Sequence, residues 1–369
     1  MSILLPIATA VSVSKKLAFA SAWVYYLIGS VSITGAITGY YGGHWALGLL
    51  AWIGASVALA LPWALGRSAT GRLFALIATA VPPLGVIGWL SPLNAAGVMF
   101  PGTGLFGLGL CVAALIWCDG VYRRPQKTWL SVLLVIAVMN GIDYGFLIPQ
   151  KFTSTPPSGW VGLDTRIVPG RGTLADLANK QGLIEAGRAV HAARVLVFPE
   201  AVLGDWLPGT RQQFALAVPP GQIWLIGAQV RLPTPGLASS GKPVNAVVAV
   251  EHGQAHAVPL TAASGLLLGG NWRPWSAQGL RPAGEQRTFA LDGERVWAAL
   301  CVEQLQPWAW VQAMWHPPTL VLAMSNAWWA PPDSFAPRIQ KASTQAWARL
   351  MAVPVIWADN KPPAKAHAV

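Results

Sequence analysis

Val195-Leu196-Val197-Phe198-Pro199-Glu200 sets four apolar residues ahead of a proline and a carboxylate. Such a run reads as a short buried strand that stops at the proline and presents an acid at its tip. A second run has the same form: Val296-Trp297-Ala298-Ala299-Leu300-Cys301-Val302-Glu303 ends in a thiol and another carboxylate. Reactive groups collect where strands end, because a rigid scaffold fixes them there. Working outward, Trp160–Ile167, Arg194–Phe198, Ile223–Val230, Val244–Val250, Arg295–Leu300, Thr319–Met324 and Val353–Ala358 read as strands. Thr173-Leu174-Ala175-Asp176 reads as a helix start with a hydroxyl cap, and Leu174, Leu177, Ala178 and Ile184 continue an apolar stripe. Ser334–Met351 is the clearest helix between two strands. This alternation predicts a layered α/β domain with covered sheets.

Cys301 is the only cysteine after residue 150, since Cys111 and Cys118 lie in the apolar first half. A disulfide within the second half is therefore impossible. Two readings of Cys301 stand side by side: a nucleophile, or a small core hydrophobe.

Charge divides the chain. Only 11% of its 369 residues are charged and 54% are hydrophobic, against about 25% charged in a soluble globular protein. Residues 1–150 hold nine charged side chains and residues 151–369 hold thirty. We expect a transmembrane helix bundle over 1–150 and a globular domain over 151–369. Five stretches have the roughly 20 apolar residues a crossing needs: Leu17–Tyr41, His44–Leu65, Leu73–Leu90, Leu93–Cys118 and Trp129–Pro149. Lys15, Lys16, Arg67, Arg72, Arg123, Arg124 and Lys127 all fall in alternate loops, and the loops between them carry no Lys or Arg. The positive-inside rule assigns that side to the cytoplasm and puts the second half outside it, in the periplasm of an inner-membrane protein. Asp143 reads as a solvated carboxylate near a span end. The net charge of +11 divides into +5 and +6, but the basic residues of the second half are scattered singly. That pattern argues against direct nucleic-acid binding and suits anionic lipid headgroups.

The second half resembles the carbon–nitrogen hydrolase (nitrilase) superfamily. Within it, the chain resembles apolipoprotein N-acyltransferase and, more closely, the family of TraB-type conjugal transfer proteins. The stretches that carry the resemblance are Val197–Ala201, Trp224–Ala228, Asn245–Val248, His256–Pro259, Leu300–Glu303, Ser325–Trp328 and the closing segment from Ala348 to Asn360. A polar segment, Lys361–Lys365, stands where the acyltransferases carry a further span, which brings the chain nearer the TraB-type branch.

The resemblance implies an αββα sandwich and a Glu–Lys–Cys triad, with no cofactor and no metal. Cys301 would attack an acyl carbon, Glu200 would relay the proton, and Glu303 would orient the amine or the triad. The lysine does not carry over. Counting five residues back from Pro259 gives Gln254, and no lysine occurs between Lys242 and Lys341. His256 and Arg273 are the nearest substitutes, each read either as a structural residue or as a replacement for the lysine, with His256 also a candidate substrate-binding residue. Trp272, Trp275 and Trp328 either line an acyl-chain pocket or fill the core, and the Trp272/Trp275 loop after Gly265–Gly270 reads as a lid.

Two functions follow. One is an inner-membrane acyltransferase or amidase acting on a membrane phospholipid or lipidated protein through a Cys301 thioester. The other is a catalytically impaired component of a conjugation apparatus, in contact with other conjugation proteins. A soluble nitrilase-like amidase tethered to the bilayer is a third, and it leaves the spans with little purpose.

Overall fold

Alternate side chains of one short strand serve two cores, and this sets the architecture of the second half. In β2 (Val195–Val197), Val195 and Val197 face one apolar cluster while Leu196 and the following Phe198 face another. That is the two-residue period of a pleated strand buried on both sides. The computed structural model describes residues 3–41, 43–118, 155–168, 172–232, 241–266, 273, 275–276, 279–284, 287–331 and 334–362. These residues fall into two units.

The larger part of the second half, Thr155–Glu303 with Pro318–Pro332 and the segment from Val355, forms one unit. Its first sheet contains β1 (Trp160–Gly162), β2, β3 (Ile223–Val230), β4 (Val244–Glu251), β5 (Gln254–Ala255) and β6 (Thr261–Ala262). The order is β1-β2-β3-β4-β5, and β6 also pairs with β4. β1, β2 and β3 are parallel, while β4 runs antiparallel to β3. Its second sheet, in the order β10-β9-β8-β7, contains β7 (Phe289–Leu291), β8 (Glu294–Leu300), β9 (Leu320–Asn326) and β10 (Val355–Asn360). β8, β9 and β10 are parallel.

The sheets meet through Val195, Val197, Leu225, Val247 and Ala249 on one side and Val296, Ala298, Leu300, Leu322 and Met324 on the other. The opposite face of the first sheet is covered by helices over Thr173–Arg188 and Pro208–Ala217. There Phe198 and Trp224 pack with ring centroids 5.1 Å apart, and Phe214 meets Trp224 at 6.4 Å. Such aromatic pairs add about 0.5–1.5 kcal/mol beyond their area. The unit is a mixed α/β domain of two facing sheets.

Two local expectations need correction. Thr173 is the first helical residue and not the cap; the cap is Gly172, with φ at 109° and no side-chain bond. Leu174 and Leu177 are exposed, because only the last two turns of that helix, through Leu183 and Ile184, reach the sheet.

The other unit joins residues up to 154 with Gln304–Pro317 and Asp333–Pro354. Its helices are α1 (Leu4–Val11), α2 (Lys15–Ser30), α3 (Ser32–Tyr40), α4 (Trp45–Ala60), α5 (Ala69–Ala80), α6 (Ala95–Met99) and α7 (Gly104–Ile116). In chain order the two helices on the first sheet, Thr173–Arg188 and Pro208–Ala217, are α8 and α9. The connections β8-to-β9 and β9-to-β10 then supply α10 (Pro307–Trp315) and α11 (Ala336–Met351), which belong to this first unit. Trp310 and Trp347 stack with centroids 6.1 Å apart. Gly97 lets α6 close onto α11, since a Cβ there would lie against the Ala346 carbonyl.

Among the described residues one helical stretch, Trp45–Leu65, is long and apolar enough to cross a bilayer. α2 and α3 pass together only as a pair bent by 53°. The expected spans Leu73–Leu90 and Leu93–Cys118 are not continuous helices. α5 stops at Ala80, before Pro82 and Pro83, which lack the N–H a helix needs. The fourth stretch breaks at Phe100–Gly102 into α6 and α7. The fifth span, Trp129–Pro149 with Asp143, and the basic residues Arg123, Arg124 and Lys127 lie outside the described residues.

Candidate active site

Two chain reversals place the reactive groups. Glu200 follows β2 by way of Pro199, and Ala201 takes a left-handed φ of 49° to turn the chain away. Cys301 follows β8 directly with a φ of 46°. A residue with a Cβ is strained in this region, and such strain persists where the surrounding fold imposes it. The Cys301 thiol donates a hydrogen bond to the Glu200 carboxylate. The groups singled out at the tips of two strands, one in each sheet, therefore meet.

Glu200 is 4% exposed. Asn245 of β4 donates from Nδ2 to its Oε1 at 2.5 Å. Burial pushes the carboxyl up to about 7; the bonds from Cys301 and Asn245 pull the other way, and the nearby Glu303 charge adds to the rise. Burial and the Glu200 charge hold the Cys301 thiol well above its ordinary range, against the backbone N–H groups of Asn326 and Val302, which point at the sulfur. The resting pair is a neutral thiol donating to a base whose own titration is centred near neutrality. That matching suits proton transfer at physiological pH.

The backbone under Glu200 is tied across both sheets. Asn326 Nδ2 donates to the Glu200 carbonyl at 2.9 Å, and Asn360 Nδ2 donates to Asn326 Oδ1 at 2.7 Å. Asn360 Oδ1 in turn accepts from Thr165 Oγ1 and the Ile167 N–H, both at 2.7 Å. β9 and β10 end in registered pairs, Ser325 beside Asp359 and Asn326 beside Asn360, so the relay comes from strand register. Gly227 of β3 lies directly against the Glu200 turn: a Cβ there would fall 2.4 Å from the Pro199 carbonyl oxygen and 2.6 Å from Glu200 Cα. Asn245, Asn326, Asn360 and Gly227 were legible only as members of family-like strands. The available signal was an Asn or Gly interrupting an otherwise apolar strand.

Glu303 is 1% exposed, and its oxygens are occupied. Oε1 accepts from the Ser264 N–H, the Ser264 hydroxyl and the Gly265 N–H at 2.8, 3.1 and 3.0 Å; Oε2 accepts from the Leu300 N–H at 3.0 Å. This carboxylate fastens the segment at Ser264 to the cysteine turn and acts through position. Glu303→Gln leaves at least one buried backbone N–H facing an amide NH₂. We expect a loss of about 2–4 kcal/mol, since charged acceptors are the strong ones and an unmade buried bond costs about 1–3 kcal/mol. Thermal unfolding of the purified chain measures it; an unchanged midpoint refutes the fastening role.

The other sequence-predicted residues are placed elsewhere. Gln254 is exposed as the first residue of β5, paired with Glu251. Glu251 is six residues along β4 from Asn245, roughly 20 Å at about 3.4 Å per residue. The expected substitution of the lysine by Gln254 therefore does not occur at the Glu200–Cys301 pair: the tight β4–β5 turn puts the residue reached by the count from Pro259 beside Glu251, at the other end of β4. β6 runs beside the Asn245 end of β4, with Ala262 opposite Ala246 and the Ala263 N–H on the Asn245 carbonyl. Thr261, Ala262 and Ala263 bring no charge there.

His256 shares the far end of β4, its N–H on the Ala249 carbonyl and its ring 3.9 Å from Glu251. The Arg273 carbonyl accepts from Lys242 Nζ at 3.4 Å. Trp275 is 70% exposed, so it fills no core. Trp328 is half-buried, two residues beyond Asn326. Trp272 lies outside the described residues.

No protein-family model matches the chain. It is similar to the conjugal transfer protein TraB of Agrobacterium fabrum, 29% identical across 97% of this chain and 87% of that protein. It is also similar to a probable conjugal transfer protein TraB of Sinorhizobium fredii, 26% identical across 97% of this chain and 93% of the relative. The resemblance to TraB-type proteins thus holds along nearly the whole chain. Among solved structures, a variant of the Nesterenkonia AN1 amidase, from the nitrilase superfamily, aligns with 14% identity over 56% of this chain and 78% of that one, at a TM-score of 0.38. An amidase from Nesterenkonia sp. aligns with 15% identity over 55% and 77%, at a TM-score of 0.37.

Proposed function

We propose that this chain is an inner-membrane protein of plasmid conjugal transfer whose nitrilase-like domain transfers an acyl group through a thioester on Cys301. The hydrogen-bonded Glu200–Cys301 pair, on two strained turns, carries the reading. As the S–C bond to the acyl carbon forms, the thiol proton passes to Glu200, and the backbone N–H groups of Val302 and Asn326 stand beside the forming oxyanion. The tetrahedral species collapses by breaking the bond to the alkoxide or amine leaving group, which takes the proton from Glu200. An acceptor amine then attacks the thioester and gives its proton to Glu200, and the expelled thiolate recovers it. A phospholipid or lipidated protein is the donor that suits a membrane-bound chain.

The membrane location is supported by what the first half leaves exposed. Twenty-four large apolar side chains of residues 3–118 are exposed, against nine in the rest of the described chain. A water-facing surface of that kind is costly, and a lipid-facing one is not. The basic ends also converge: Arg67 Nε donates to the Ser12 carbonyl at 2.9 Å, and Arg72 to the Gly66 and Ile116 carbonyls. By the positive-inside rule that end is cytoplasmic and the catalytic domain periplasmic.

The test is an activated fatty-acyl ester incubated with the full chain in detergent. We expect a hydroxylamine-labile acyl group on the peptide containing Cys301. Because the base form of Glu200 is required, the acylation rate should rise with pH through about 7 and then level. Acyl groups confined to other peptides, or a rate falling over that range, defeat the enzymatic reading. The absence of charge on Thr261–Ala263 favours a second one, a conjugation component that keeps the fold without turnover. In that case Cys301 is unacylated and plasmid transfer is unaffected by Cys301→Ala.

A further inference from the structure

Residues 1–118 contain four cations, Lys15, Lys16, Arg67 and Arg72, and no Asp or Glu. Arg72 is fully buried and satisfied by carbonyls at a helix end, Gly66 and Ile116. Lys15 and Arg67 are different: both are exposed and line one cleft of about 520 Å³. No carboxylate among the described residues pairs with either. Arg67 is oriented by its Nε bond to the Ser12 carbonyl, which leaves its terminal nitrogens for an anion. Ser68 and Thr70 bring hydroxyls to the same cleft at the start of α5, where Ser68 caps the Gly71 N–H and the helix end favours negative charge. Leu65 and Phe74 complete the lining and are 42% and 53% exposed. A soluble phosphate has no use for that apolar side, whereas a lipid uses both.

We infer that this cleft binds the phosphate headgroup of an anionic phospholipid, with Lys15 and Arg67 on the phosphate and Leu65 and Phe74 against the start of the acyl chains. The inference rests on the membrane reading above. The site lies among the basic chain ends, so its lipid comes from the leaflet on that side.

Native mass spectrometry of the full chain in detergent, titrated with phosphatidylglycerol or phosphatidylcholine of the same acyl chains, tests it. Wild type should hold phosphatidylglycerol at least tenfold more tightly than phosphatidylcholine. Lys15→Ala with Arg67→Ala should weaken phosphatidylglycerol about thirtyfold, roughly fivefold per cation, and leave phosphatidylcholine unchanged. Lys15→Arg with Arg67→Lys, which keeps the charge, should retain the preference and controls for misfolding. Equal affinity for the two lipids, an unaffected alanine pair, or displacement of the lipid by equimolar inorganic phosphate overturns the site. Carbonate extraction of membranes separates the two readings. A chain that stays in the pellet yet shows no headgroup preference loses only this inference; a chain that is extracted loses the membrane reading as well.

Discussion

Cys301→Ala is expected to abolish acylation, and Glu200→Gln to slow it by about 10²–10⁴, the range general-base catalysis supplies. The neutral thiol is a weak nucleophile, and here it is held above its ordinary range by burial and by the Glu200 charge. It attacks only as the proton leaves, and the acceptor is the carboxylate it is bonded to. Gln at 200 can still take the Asn245 bond through its oxygen, so the turn is preserved while the base is gone. The pH dependence centred near 7 should vanish with it. Cys301→Ser keeps a hydroxyl on the same turn but offers a far more basic nucleophile, and its acylation should be undetectable beside wild type. Because the two groups act on one proton, their losses are not additive, and Glu200→Gln with Cys301→Ala should be no worse than Cys301→Ala alone. Acylation monitored by intact mass measures all four variants. Near-normal rates in Glu200→Gln would mean that another group takes the proton, and the mechanism proposed above would be wrong.

How far the sequence discloses this site depends on what kind of information each residue carries. β3 is visible residue for residue, because a short, largely apolar run with β-branched residues at both ends suits a sheet covered on both faces. Glu200 and Cys301 are visible because each ends such a run. Their meeting is not: it depends on two sheets facing each other through Val197, Leu225, Leu300 and Met324, a long-range fact with no local signature. Gln254 shows the cost of counting along a chain when a hairpin is short. A tight turn at His252 and Gly253 returns the chain after Glu251, so spacing from Pro259 leads to the exposed tip and not to the level of Asn245. The spans fail differently. Composition fixes how much apolar surface the first half must place, but Pro82, Pro83 and Pro101 decide how that surface is cut into helices. Glu303 has the same limit: its chemistry as an acid is legible, but its employment by Ser264, Gly265 and Leu300 is a matter of tertiary geometry.

Gly227→Ala should cost acylation at least 10²-fold although it adds a single methyl group and touches neither reactive side chain. The three atoms that methyl would meet are the Pro199 carbonyl oxygen at 2.4 Å, the Ala201 nitrogen at 2.5 Å and Glu200 Cα at 2.6 Å. All are backbone, so no rotamer relieves the clash. The turn they belong to is already strained at Ala201 and is pinned on its other side by Asn326 on the Glu200 carbonyl. Relief therefore requires β3 and the Glu200 turn to separate by about 1 Å, enough to bring those contacts to ordinary distance. A displacement of that size takes Glu200 out of line with both Asn245 and the thiol, and misplacements of about 1 Å cost on the order of 10²-fold. Overpacking adds a stability loss of about 1–3 kcal/mol. Gly182→Ala in α8 is the control: a Cβ there meets nothing within 4 Å, and removing a mid-helix glycine stabilises by roughly 0.5–1 kcal/mol with acylation unchanged. The decisive readout is the pair of measurements on Gly227→Ala. A slow chain that still unfolds cooperatively places the defect at the Glu200 turn, whereas acylation within threefold of wild type would show that the turn does not position the base.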